Sequence, residues 1–167
     1  MRTFFSSLLC IMLFSCSASK SVATATKPSK KTLKGTWEVT NIRFIGEEGI
    51  YKAQLFDIAD SPCFKGSQWV FIPNNGTGKF TVNNSSNCSE TTQRILWSFF
   101  ESGEDTQLQF KLVDSKNKPL SATKSGYRMK IVDLSAATME TRIQTSQDGN
   151  PFEVVLSFQK SSEEINL

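Results

Sequence analysis

The 167-residue chain contains no histidine. That removes the commonest general base, the commonest metal ligand and every Ser-His or Cys-His dyad. Acid–base work would fall to carboxylates or lysine. The acidic clusters are Glu47-Glu48, Glu101 to Asp105, and Glu163-Glu164. A catalytic or Ca²⁺-binding pair is conceivable there, but all three lie in expected turns or the tail, where charge faces water. We expect no enzyme, no cofactor and no metal site. Charge of one sign is scarce too. Nineteen basic against sixteen acidic residues leave +3, without the concentrated basic face of a nucleic-acid binder. A long apolar run is also lacking. The stretch Phe4 to Phe14, broken by Ser6 and Ser7, is short of the roughly 20 apolar residues a spanning helix needs.

That stretch, with Arg2 ahead of it, suits the h-region of a secretory signal. It ends at Leu13-Phe14-Ser15-Cys16, where small polar residues take over. These four residues resemble the lipobox of bacterial lipoprotein signals. The resemblance implies cleavage before Cys16, an acyl anchor on its sulfur, and a protein tethered to a membrane without spanning it. Residues 1–15 are then the signal peptide. Residues 16–32, rich in Ser, Thr, Ala and Lys, form a flexible tether. Its Lys27, Lys30 and Lys31, with Lys34, either graze anionic headgroups or only keep a stalk soluble. Neither an Asp beside Cys16 nor an acidic cluster follows it. By analogy this implies an outer-membrane anchor facing the periplasm.

Of four cysteines, Cys10 would leave with the signal and Cys16 would be acylated. Cys63 and Cys88 remain, in an oxidising compartment, and are read as a disulfide. The alternative is two free thiols in redox or metal chemistry, for which neither a CxxC spacing nor a histidine is present. Asn75, Asn83, Asn84 and Asn87 open Asn-x-Ser/Thr sequons, which beside a lipobox read as loop polarity.

Between residues 33 and 162 the apolar period is two. Trp37 and Val39 begin it. Trp69 to Ile72, Phe80 and Val82, and Ile95, Trp97 and Phe99 continue it. Leu108, Phe110 and Leu112 follow, then Tyr127, Met129 and Ile131, then Met139 and Ile143, and last Phe152 to Phe158. Eight one-sided strands separated by Gly/Asn/Asp/Ser turns predict an all-β protein of antiparallel strands. Closing them into an eight-stranded up-and-down β-barrel removes both edges. A two-sheet β-sandwich is the alternative. The single expected helix is a turn or two around Tyr51 to Ile58, and residues 163–167 are a tail.

Leu33-Lys34-Gly35-Thr36-Trp37-Glu38-Val39 resembles the Gly-x-Trp signature that opens the first strand of lipocalins. The segment Cys63 to Phe71, the later Cys88, Asn74 to Gly78, Trp97, Gly126-Tyr127 and Val154 to Phe158 resemble the lipocalin-like lipoproteins of Bacteroidetes. The resemblance implies that Trp37 packs across the closed end of a barrel. It also implies an Arg, late in the chain, stacked on that ring. Arg142 is the expected counterpart.

The expected inner set is Trp37, Trp69, Phe71, Phe80, Trp97, Phe99, Phe110, Tyr127, Phe152 and Phe158. These rings either line a pocket for a small hydrophobic or lipid-like ligand, or plug the lumen themselves. In the second case the protein is a monomer or an accessory subunit of an envelope complex. It would dock through the insertion Glu47 to Cys63, whose Ile50, Tyr51, Leu55, Phe56 and Ile58 are then exposed. Those residues could equally form a lid over the barrel mouth.

Overall fold

The computed structural model describes residues 27–46, 49 and 52–165. The signal tract, Cys16, residues 17–26 of the tether, Glu47, Glu48, Ile50 and Tyr51 lie outside the described residues. A one-turn helix α1 (Lys30–Leu33) leads into β1 (Gly35–Ile45). The short strands β2 (Gln54–Leu55) and β3 (Ala59–Asp60) and a 3₁₀ turn (Ser61–Phe64) follow. Then come β4 (Gln68–Ile72), β5 (Thr77–Val82), β6 (Thr91–Ser102), β7 (Asp105–Val113), β8 (Tyr127–Leu134), β9 (Thr138–Gln147) and β10 (Asn150–Ser162).

Eight strands close into a barrel in the ring order β1-β10-β9-β8-β7-β6-β5-β4, and β2 pairs only with β3. The pairing is antiparallel throughout. The expected up-and-down barrel is therefore the fold, and the sandwich is not formed. Alternation explains why. Along β7, Thr106, Leu108 and Phe110 are buried while Gln107 and Gln109 are half-buried and Lys111 is exposed. Most strands hide one face, with Val70 on β4 and Val155 on β10 buried on the outer side as well, and closure gives the inner faces a common interior.

Up-and-down order gives the barrel two unlike ends. The floor carries α1, the β4–β5, β6–β7 and β8–β9 turns, and the end of β10. The mouth carries the long β1–β4 insertion and the β5–β6, β7–β8 and β9–β10 connections. At the floor, Leu33 and Trp37 are fully buried, and Trp37 Nε1 donates to Leu33 O at 2.8 Å. Gly35, at φ +117°, lies where a Cβ would collide with Ser162 O. Only glycine permits that approach of β1 to β10.

The basic partner of Trp37 is Lys160, not Arg142. A register shift between Thr36 and Trp37 sets Trp37 opposite Lys160. Its Nζ stands 4.9 Å from the Trp37 ring centroid, donates to Thr32 O at 2.9 Å and pairs with Glu163 at 2.8 Å. The ammonium holds the Glu163 carboxyl below the usual carboxylate range, through the hydrogen bond first and charge second. Arg142 instead joins an outer-wall chain of charges: Arg43–Glu140 at 2.7 Å and Arg142–Glu153 at 3.2 Å.

The helix expected around Tyr51 to Ile58 is also corrected. Phe56 and Asp57 adopt φ +58° and +55°, which turns the chain back on itself, so that Leu55 pairs with Ala59. Burial drives the turn, because Leu55 and Phe56 are only 2% and 4% exposed. They are therefore not the exposed docking residues that the insertion suggested.

Candidate functional site

Eight of the inner rings form a connected column. Toward the floor, Phe71 meets Trp97 edge-on at 5.5 Å, and Trp97 meets the half-buried Phe99 at 5.8 Å. At mid-height Trp69 stacks on Phe80 at 4.5 Å, with Phe158 against its edge at 6.0 Å. Phe110 and Tyr127 continue the column to the mouth, 5.5 Å apart. Phe152 contacts Phe44 at 6.3 Å beside the mouth. All ten expected lining residues thus belong to one interior, but Trp37 sits in the floor and Phe99 at its margin.

Sequence reasoning gave Phe56 and Phe64 no place among the lining residues. Phe64 comes from the 3₁₀ turn and is fully buried. Phe56 comes from the tip of the β2–β3 hairpin and reaches down into the mouth. Its ring centroid lies 5.0 Å from Phe110, 5.4 Å from Phe64, 5.5 Å from Tyr127, 5.8 Å from Trp69 and 6.3 Å from Phe80. Four of those five contacts are edge-on, the arrangement that ring quadrupoles favour. The available signal was a bulky ring inside an irregular insertion, which reads equally as lid or docking patch.

Among the described residues, the hairpin is closed by its two-residue ladder and by Ser61 N–H donating to Ala53 O at 2.7 Å, with two side-chain contacts. Tyr127 Oη donates to Asp57 Oδ2 at 2.7 Å, and Lys52 pairs with Asp60 at 3.8 Å. Behind it, Cys63 and Cys88 are disulfide-bonded with Cα atoms 5.6 Å apart, which ties the insertion to the β5–β6 connection. The expected pairing is therefore present. Among the described residues, three buried polar side chains of the walls are already bonded. Trp69 Nε1 donates to Ser67 Oγ, Trp97 Nε1 to Thr77 O, and Thr141 Oγ1 to Met129 Sδ. Among the described residues, the acidic clusters at Glu101 to Asp105 and Glu163-Glu164 stand outside the lumen, and Glu47-Glu48 lies outside the described residues. Glu101 pairs with Lys27 at 3.3 Å and Asp105 with Lys130 at 2.9 Å.

Burial, then the Asp57 hydrogen bond, then its negative charge push the Tyr127 phenol up to about 12. A phenol held protonated in the folded state stabilises below the ordinary value near 10, and that contribution is lost as pH rises through about 12. Ultraviolet titration against a Tyr127→Phe blank should therefore show Tyr127 ionising near pH 12. Asp57→Asn should move the midpoint downward. An unmoved midpoint would mean that the hydrogen bond is not made.

Residues 33–141 match the family profile described as lipocalin-like domain. The chain belongs to that lipocalin-like family. No curated protein matches its sequence. Among solved structures, bovine odorant-binding protein in complex with a selenium-containing odorant is 17% identical, with a TM-score of 0.43. The match covers 83% of this chain and 76% of that one. The same bovine protein with its natural ligand is 18% identical, with a TM-score of 0.42 and coverage of 83% and 77%. In this lipocalin-like barrel, the β2–β3 hairpin places the Phe56 ring among the rings of the mouth.

Proposed function

We propose that this lipocalin-like protein binds a small hydrophobic molecule in the mouth of its barrel, without catalysing a reaction on it. It does so as a lipoprotein acylated at Cys16 on the periplasmic face of an outer membrane. The observation that carries the binding reading is the apolar interior beneath a short hairpin, in a member of the lipocalin-like family. The anchor reading is supported by Leu13-Phe14-Ser15-Cys16 after a short apolar run and by its likeness to Bacteroidetes lipoproteins. The full chain, extracted from membranes in mild detergent, is expected to carry one co-purifying apolar molecule by native mass spectrometry and to incorporate labelled palmitate. Cys16→Ser should abolish the label and leave the bound molecule in place. Extraction without any such molecule, together with failure to bind apolar fluorophores, would overturn the binding reading.

One observation favours a second reading. The inner rings pack against one another along the barrel, as expected of an accessory subunit that docks on an envelope complex. Crosslinking in membranes would then recover a stoichiometric protein partner in place of the small molecule.

A further inference from the structure

Phe56 is a bulky residue in the left-handed region, at φ +58°. That conformation costs roughly 1–2 kcal/mol for a residue with a Cβ and is an outlier for one this large. The next residue, Asp57, is left-handed as well. The hairpin that imposes this turn has two residues per strand, too few to be stable alone. What holds it down is the burial of Phe56 and Leu55, at 4% and 2% exposure, with the Ser61 N–H donated to Ala53 O at its base and the Tyr127–Asp57 bond at the rim. The barrel wall therefore presents a ring-shaped berth whose present occupant is attached through a strained hinge. Strained backbone of this kind clusters at ligand clamps and switches, where it lowers the cost of leaving.

We propose that the Phe56 berth is an exchange site for a small, uncharged, planar aromatic ligand, which takes the position of the ring as the β2–β3 hairpin lifts. The proposal rests on the ligand-binding reading above and names the class of molecule. The berth selects that class in two ways. It is walled by five rings, mostly edge-on to the occupant, so a flat π-face meets favourable edges where a flexible alkyl chain meets none. The indole N–H of Trp69 is already bonded to Ser67, so a charged group would lose its hydration with nothing in return. Opening breaks the Tyr127–Asp57 hydrogen bond, which makes that pair the latch.

The test uses the full chain and three probes: indole, decanol and benzoate. Phe56→Gly empties the berth and relieves the left-handed turn, since glycine adopts positive φ freely. Asp57→Asn keeps the plug and weakens the latch, and so reports even where the glycine variant folds poorly. By titration calorimetry, indole is expected to bind Phe56→Gly at least tenfold tighter than the unsubstituted chain, and Asp57→Asn several-fold tighter. Decanol should bind Phe56→Gly at least tenfold more weakly than indole does, and benzoate should not bind. Equal indole affinity in all three proteins would overturn the exchange site. Decanol binding as tightly as indole would overturn the aromatic class while leaving the apolar-ligand reading intact. If no probe binds any of the proteins, both readings fall together.

Discussion

Trp69→Ala is expected to lower the unfolding free energy by about 3–5 kcal/mol, the range for removing a large buried aromatic side chain. The reason is position rather than size alone. Trp69 is fully buried and touches Phe56, Phe71, Phe80, Phe110 and Phe158 with centroids 4.5–6.1 Å away. Removing it leaves rings from four strands and the hairpin facing a hole, and their strands are fixed by ladder hydrogen bonds, so the site cannot collapse. Ser67 Oγ also loses its donor. The control is Phe99→Ala, at the half-buried margin, which should cost about 1 kcal/mol. Urea unfolding measures both. Equal losses at the two positions would show that the column is not the organising core.

The second large effect belongs to the disulfide. Replacing Cys63 and Cys88 together by serine opens a loop with a sequence separation of 25. It should cost about 3 kcal/mol on the chain-entropy account, or a fall in Tm of about 6–12 °C for a chain of this length. The loss should be uneven in space. Amide exchange is expected to speed up first in residues 52–66, where the hairpin and the 3₁₀ turn lose their tie to the β5–β6 connection. The floor, held by Trp37, Lys160 and α1, should keep its protection. Uniform loss of protection would mean that the mouth and floor unfold as one unit.

How much of this was readable from the residues follows from where the period of two holds. Leu108, Phe110 and Leu112 announce β7 because one side of a strand is wet and the other dry, and the same logic yields all eight barrel strands. It fails over 52–60. Two-residue strands have no room to alternate, and the turn at Phe56-Asp57 lacks the Gly or Asn that normally marks positive φ. The conformation there is imposed by burial of the ring, a long-range effect that a local pattern does not carry. Lys160 is a subtler case. Counting by two from Phe158 puts it on the inner face, yet a charge near a polar tail reads as solvent-facing. Only the register shift against β1 and the carboxylate of Glu163 make that inward position tolerable. The disulfide was legible from cysteine arithmetic, since the lipobox resemblance assigns other fates to Cys10 and Cys16. The column's aromatic content was legible as well, but its packing at the mouth depended on a ring from outside the strands.

The floor has a directional consequence. The first and last barrel strands both have their outer ends there, with Thr36 opposite Ser162 and the Lys160 ammonium bonded to Thr32 O just ahead of β1. Whatever is attached upstream of Lys27 or downstream of Ile165, whether an acyl group or a fluorescent fusion, hangs from the same pole. The β2–β3 hairpin lies at the opposite pole, so an attachment at either terminus leaves that end of the barrel uncovered.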